Sequence, residues 1–400
     1  MLGGLPTKTK ILLVGNFLSA IGNGLVLPYL FIYLHTIRGI PSGIAGLIVG
    51  YGALISLLSS PVVGTTIDHF GPKPVLMLSL LVSGVGYASL SLVHNIPTAL
   101  LTMTIVSIGQ SAMWPSQGAI GVETTAEEQR QQLFGANFAL MNIGLGVGGL
   151  ISSAIVSLGN PKSFEYMYWC DGASFILYLG VVIFIRGVGH RSVEEREERR
   201  EMSGGWREVI ADKRFVRFWL VMLAAIIFGY SQLEVGFASF ATFVAHVPPS
   251  NIAYAYAANT ALIGIGQMWM IKMTKNLSSS RGLALAAFLW MMSWITLSLS
   301  GLHHATALLF IILCQMIFGI GEMVWSPLIP SITNKLAPEH LRGRYNSASS
   351  NAWQVALIMG PVIAGNLLGA GLHWLWIGIL VAGLLGVITV ALRLKLPTRV

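Results

Sequence analysis

GQSAMWPSQGAIGVETTAEEQRQQLFG occupies residues 109–135, and its outline returns at 321–347 as GEMVWSPLIPSITNKLAPEHLRGRYNS. At a constant separation of 212 residues, Gly109 matches Gly321, Pro115 matches Pro327, Glu127 matches Glu339 and Arg130 matches Arg342. Further on, Gly148 matches Gly360, and Asn142 matches Gln354. His35 and His246 fall at nearly the same separation. A chain that repeats itself at about half its length is built from two halves of like fold.

The solvent of those halves follows from composition. Of 400 residues, 54% are apolar and 10% charged, and mean hydropathy is +0.72. Soluble domains carry roughly 25% charged residues, so the chain is read as an integral membrane protein. Its apolar runs are about 20 residues long, the length of a bilayer-crossing helix and not of a barrel strand. Twelve spans are expected: 11–35, 43–67, 74–93, 98–122, 133–158 and 166–187, then 216–245, 250–272, 282–301, 305–332, 345–370 and 373–393. The first run begins behind Lys8 and Lys10, is too long for a signal-peptide core and ends at no small-residue cleavage site. Cys170 and Cys314 fall in different spans and give neither a disulfide framework nor a metal spacing.

The long polar stretch GHRSVEEREERREMSGGWREVIADKRF divides the spans into two sixes. The expected organisation is an N-terminal six-helix bundle (1–188), a cytoplasmic linker (189–215) and a C-terminal six-helix bundle (216–400). The linker's EEREERRE run has the charge spacing of a solvated helix face. With an even number of spans both termini lie on one side. Of the 24 Lys and Arg residues, only Arg38 and Lys162 fall on the other side. Positive charge stays cytoplasmic, so both termini are expected in the cytoplasm of a bacterial inner (plasma) membrane. The net charge of +8 is thus a matter of topology, and no nucleic-acid partner is expected.

GTTIDHFGPK (64–73) is the turn between spans 2 and 3. Gly64 allows close helix approach, Asp68 can accept hydrogen bonds at a helix N-terminus, Gly71 and Pro72 bend the chain, and Lys73 keeps the loop cytoplasmic. The pattern Gly64-x-x-x-Asp68-x-x-Gly71-x-Lys73 resembles the loop 2–3 signature of the major facilitator superfamily, with His69 and Pro72 at two of its basic positions. GNGLVLPYLFIYL (22–34), with Pro28 at its centre, resembles the first helix of that family's drug:proton antiporters. GEMVWSP (321–327) and APEHLRGRY (337–345) are similar to helix 10 and loop 10–11 of its bacterial multidrug members. GPVIAG (360–365), with Gly360 and Pro361, resembles the antiporter motif that the family carries in helix 5, where this chain has GLGVGG (144–149). Ile105 stands where many antiporters have a helix 4 Arg tied to proton coupling, so coupling here must use other groups. The resemblance implies spans 1, 4, 7 and 10 around a central cavity and transport by alternating access.

Acids inside a bilayer cost roughly 2.5–3.5 kcal/mol on insertion scales and default to functional hypotheses. Glu234, in span 7, and Glu322, in span 10, are the two acids read as lying well inside. Burial disfavours a carboxylate's charge, so each can exchange a proton or pair with a cationic substrate. Asp171 is placed near the outer end of span 6, as an exposed helix-start residue. Tyr29, Tyr33, Trp114, Tyr230, Trp325 and Trp353 are the aromatic candidates for a substrate cavity. Asn137, Asn142, Gln232 and Gln354 are its polar candidates. Gly64, Asp68, Gly71, Lys73, Arg130, Arg342, Gly148, Gly360 and Pro361 are assigned to loops and helix packing.

Six of the nine histidines, at outer span ends, have no repeated ligand spacing, so no metal site or other cofactor is expected. No phosphate-binding loop or catalytic triad occurs, which points away from an enzyme. The expectation is an all-α membrane protein of twelve helices in two pseudo-symmetric bundles. It would export small lipophilic or cationic compounds in exchange for protons, as a monomer. The alternatives are an importer or uniporter of a nutrient, a lipid exporter of the same fold, or a non-transporting membrane sensor.

Overall fold

A computed structural model of the chain describes residues 2–26, 29–157, 160–189, 205–394 and 396, and leaves aside the side chains of 42, 43, 234, 249, 250 and 304. Pro28 and the EEREERRE run lie outside the described residues. Twelve long helices follow one another: α1 (Thr7–Val26), α2 (Ser42–Phe70), α3 (Pro72–Ser89), α4 (Ile96–Thr124), α5 (Arg130–Ile155), α6 (Pro161–Ile183), α7 (Lys213–Phe228), α8 (Pro249–Thr274), α9 (Ser279–Leu302), α10 (Ala307–Leu336), α11 (Arg342–Gly369) and α12 (His373–Arg393). Among the described residues, eleven helices are long and apolar enough to cross a membrane. The expected eighth span is the 26-residue α8, whose Asn259 and Gln267 interrupt its apolar face. Leu47, Leu58, Leu150, Phe243 and Ile265 are exposed apolar side chains, as lipid-facing positions require.

Chain contacts divide these residues into two compact units, 1–207 with 337–351, and 208–336 with 352–400. In the first unit α1 packs on α5 and α6, α3 on α4 and α6, and α2 on α4. In the second unit α7 packs on α12, α9 on α10 and α12, and α8 on α10. Each of those four second-unit pairings is a first-unit pairing advanced by six helices.

The repeat is also visible at single residues. A 3-10 turn at Glu127–Gln129 leads into α5 at Arg130, and a 3-10 turn at Glu339–Leu341 leads into α11 at Arg342. Pro115 and Pro327 sit inside α4 and α10, where the missing N–H favours a kink. A side chain at Gly148 would strike the Ile21 carbonyl and Gly24 of α1, and one at Gly360 would strike Ser231. Both glycines therefore mark helices in backbone contact.

Span 7 is broken rather than continuous, and span 1 ends in a π-helix. After α1, Leu30–Ile32 is helical and Tyr33–Ile37 is a π-helix. After α7, Gly229 breaks the helix (φ −110°, ψ −94°) before a 3-10 turn at 230–232 and π-segments at 233–237 and 240–244. The outer ends of the two spans match. Arg38 N–H donates to Tyr33 O and Ile40 N–H to Leu34 O, while Ala245 N–H donates to Phe240 O and Val247 N–H to Ala241 O. Pro41 and Pro248 then cap α2 and α8. Here the separation is 207 residues, so the halves lose register by five residues between α2 and the end of α4.

The turn at 64–73 is held from several sides. Gly71 has φ 91° and ψ 157°, a conformation open to glycine alone, and Pro72 opens α3. Asp68 Oδ1 accepts from Gly343 N–H at 2.6 Å and Oδ2 from Arg344 N–H at 3.2 Å, at the N-terminus of α11. Arg344 Nη1 lies 3.6 Å from Oδ2. Gly64 and Gly343 make room for this contact: a Cβ on Gly64 would lie 2.9 Å from Arg344 Cα, and one on Gly343 2.7 Å from Gly64 O. Lys73, read from sequence as keeping the loop cytoplasmic, also has a packing role. It is buried, and its Nζ donates to Ile185 O at 2.6 Å and to Ile183 O at 3.4 Å. It therefore satisfies carbonyls at the C-terminus of α6, where a cation suits the helix dipole.

Candidate functional site

Glu322 lies on α10 and is 5% exposed. Its Oε2 accepts from Asn259 Nδ2 of α8 at 2.8 Å, and the Tyr230 hydroxyl also hydrogen bonds to it. Asn259 Nδ2 reaches the Gln315 carbonyl at 3.1 Å as well. Among the described residues no Lys, Arg or His pairs with Glu322. Gln315 Nε2 and Trp325 Nε1 are buried without a hydrogen-bond partner. Aromatic rings surround this polar cluster: Tyr230 meets Trp353 edge-on at 4.7 Å, Trp290 stacks on Phe318 at 5.0 Å, and Trp325 lies 5.0 Å from Trp290. The second unit thus holds one carboxyl group, amides and a hydroxyl inside an aromatic wall.

The first unit holds a cavity of about 210 Å³, whose lining includes the polar Asn16, Ser19, Asn23 and Gln110 and the apolar Met113, Trp114, Met141 and Leu145. Asn16 organises its floor, donating to Asn137 Oδ1 at 2.7 Å and accepting from Gln117 Nε2 at 3.1 Å. Gln110 Nε2 donates to the Tyr87 hydroxyl at 3.0 Å. Asn23 Oδ1 and Gln110 Oε1 accept from no protein donor. The walls can therefore take a largely apolar ligand that donates hydrogen bonds to these two acceptors.

Of the sequence candidates, Trp114 lines this cavity and Asn137 supports it. Asn142 donates to Phe138 O of its own helix. Gln354 is half-buried on α11. Glu234 lies in the π-segment at 233–237, and its side chain is outside the described residues.

Three expectations need correction. Tyr33 is wholly buried: its hydroxyl donates to Leu90 O and accepts from Arg38 Nε, and its ring stacks on Phe164. Tyr29 also meets Phe164, so the two tyrosines share a face, and that face turns toward α6. Gln232 is wholly buried and fully used, donating to Ile227 O and accepting from Trp376 Nε1. It repairs the backbone after the Gly229 break. Asp171 is no exposed helix start. It lies mid-helix in α6 with no exposed surface.

Asn16, Asn23, Gln110, Asn259 and Gln315 were missed by sequence reasoning, which weighted charge and aromaticity over amides. An amide inside an apolar run carries the same signal as an acid, since neither stays in a bilayer without a partner.

Residues 12–361 match the family model for the Major Facilitator Superfamily, and the chain belongs to that family. It is a membrane-embedded protein of a small-molecule transporter family. It is 24% identical to an uncharacterized MFS-type transporter, YttB, of Bacillus subtilis, over 97% of this chain and 95% of that one. It is 23% identical to the quinolone resistance protein NorA of Staphylococcus aureus, over 93% and 94%. Among solved structures, it superposes on a bacterial homologue of the iron transporter ferroportin in an outward-facing state, with a TM-score of 0.82 at 14% identity, covering 98% of this chain and all of the other. The human organic anion transporter MFSD10 superposes with a TM-score of 0.71 at 14% identity, over 96% of this chain and all of the other.

Proposed function

We propose that the protein exports small lipophilic or cationic compounds across a bacterial inner membrane by alternating access, with a proton entering through Glu322 as substrate leaves. The observation that carries this reading is the Glu322 cluster: a buried carboxyl with amide and hydroxyl partners and no basic partner, behind aromatic rings. Such a group holds a proton or a cation by turns, because its charge is uncompensated when both are absent. Aromatic faces attract lipophilic cations. A relative named for quinolone resistance supports the same direction. Glu234 is the second proton candidate by its place in span 7. The protein would act as a monomer with both termini in the cytoplasm.

Efflux of a fluorescent lipophilic cation from cells lacking their own exporters tests the reading. Expression should lower accumulation, and Glu322→Gln, present in the membrane at equal amount, should not. Ile105 in place of the helix 4 Arg favours a second reading, uptake or uniport of a neutral solute. Accumulation that rises on expression and ignores Glu322→Gln would select it.

A further inference from the structure

Asp171 is an acid that the transport reading leaves unused. It lies ten residues into α6, roughly 15 Å along the helix, or half the thickness of a bilayer core. It has no exposed surface. The Ser174 hydroxyl approaches its Oδ1 at 3.4 Å while bonding the Asp171 carbonyl at 2.7 Å, and Oδ2 has no partner.

Three helices meet there. From α1, Gly22 packs on the carboxyl so closely that a Cβ would strike Oδ1 and Ser174 Oγ. From α3, Tyr87 stacks flat on Phe175, one turn beyond Asp171 on the same face of α6 (5.2 Å, 3°), and its hydroxyl lies within electrostatic reach of the carboxyl.

Of the cations near the ends of α6, Lys162 and Arg186 are exposed, and the two more buried ones bond other groups. Arg38 holds Tyr33, Ser91 and Glu165, and Lys73 holds Ile185. The facing groups that can titrate are Tyr87 and, on α6 itself, Tyr168, whose hydroxyl is unpartnered. α1 presents only Gly22 there, and the turn at 90–92 carries no titratable side chain.

Tyr87 also belongs to the cavity wall, and its oxygen accepts from Gln110 Nε2. That bond leaves the hydroxyl hydrogen free to donate; neither oxygen of Asp171 takes it in this structure, and the carboxyl acts on Tyr87 through its charge. We propose that Asp171 is a proton-binding site of the first unit, linked through Tyr87 and Gln110 to the cavity lined by α1, α3, α4 and α5. Uptake adds one proton to a carboxylate oxygen and takes its charge from −1 to 0. Release returns that proton to water on the cavity side. A ligand that captures the Gln110 amide withdraws support from the Tyr87 hydroxyl and changes the proton affinity of Asp171. The site itself stands without the export reading; its use as a second coupling proton rests on that reading.

The chain has three aspartates, Asp68, Asp171 and Asp212. Carboxyl-13C aspartate labelling therefore confines the infrared signal to three carboxyl groups and is blind to Glu322. Asp68 accepts from two backbone N–H groups and pairs with Arg344, and Asp212 accepts from two backbone N–H groups; the difference between wild type and Asp171→Asn assigns the band to Asp171. In lipid nanodiscs, wild type should show one isotope-shifted carboxylic acid band that fades as pH rises while the protein stays folded. In Gln110→Leu the midpoint should move upward by about half a pH unit, because the bond lost joins two neutral groups and acts on Asp171 only through Tyr87. Asp171→Asn, where it folds, should lack the band.

Absence of a labelled acid band at every pH would overturn the proposal. So would a band that persists until the protein unfolds, which marks a sealed structural acid. A midpoint unmoved in Gln110→Leu would remove the link to the cavity. None of these results bears on Glu322, whose role is read by transport.

Discussion

Asp68→Asn tests the turn at 64–73 most sharply. The carboxylate accepts two N–H groups of the first turn of α11, at 2.6 and 3.2 Å, and pairs with Arg344 at 3.6 Å. Asn retains one acceptor and loses the other together with the charge. A hydrogen bond to a charged group contributes about 1.5–3 kcal/mol, and a negative charge at a helix N-terminus about 0.3–1 kcal/mol. The expected loss is about 2–3 kcal/mol, or roughly 30-fold to 150-fold in local opening. Hydrogen exchange measured on peptides covering 337–351 should accelerate by that factor, with the rest of the first unit unchanged. Exchange at Gly343 and Arg344 within about threefold of wild type, in a folded variant, would refute the assignment of Asp68 as the cap of α11.

Other side chains make equally definite predictions. Lys73→Met should lower thermal stability by about 1–3 kcal/mol, because the Ile185 carbonyl loses its donor; Lys73→Arg should recover part of it in the same melt. Trp376→Phe should cost about 1–3 kcal/mol by stranding Gln232 Oε1. The double variant with Gln232→Leu should lose less than the sum of the two single losses, because the stranded oxygen leaves with Gln232 while Ile227 O still loses its donor, and a double-mutant cycle reads that coupling. Gly148→Val should abolish monodisperse protein on size-exclusion chromatography, while Gly46→Val, with open space around it, should not.

The sequence carried the architecture because hydrocarbon admits few alternatives: twelve apolar runs, and a repeat whose matched residues, Arg130 and Arg342, each begin a helix. It carried less of the interior. Asp171 was misplaced because the apolar run suggests a start near 166, whereas the helix starts at Pro161, behind Asn160. Proline in that first position is a start signal, and it moves Asp171 from the end of the span to its middle. Tyr29 and Tyr33 do share a face, but periodicity does not say whether a face meets a neighbouring helix or open space. The π-segments after Ile32 and Gln232 carry no pattern of their own. Gln232 reads as a cavity amide until the Gly229 break is known to free a carbonyl beside it. Lys73 reads as a residue that keeps a loop cytoplasmic until the end of α6 is seen to need a donor.

The account turns on Glu322 as the group that trades a proton for substrate. Everted vesicles carrying a respiratory pH gradient, followed with a pH-sensitive dye, measure that exchange directly. Adding a panel of lipophilic cations should partly collapse the gradient in wild-type vesicles, and Glu322→Gln vesicles with equal protein should show no collapse. An equal collapse in both, or none for any compound with folded wild-type protein, would contradict proton-coupled export through Glu322.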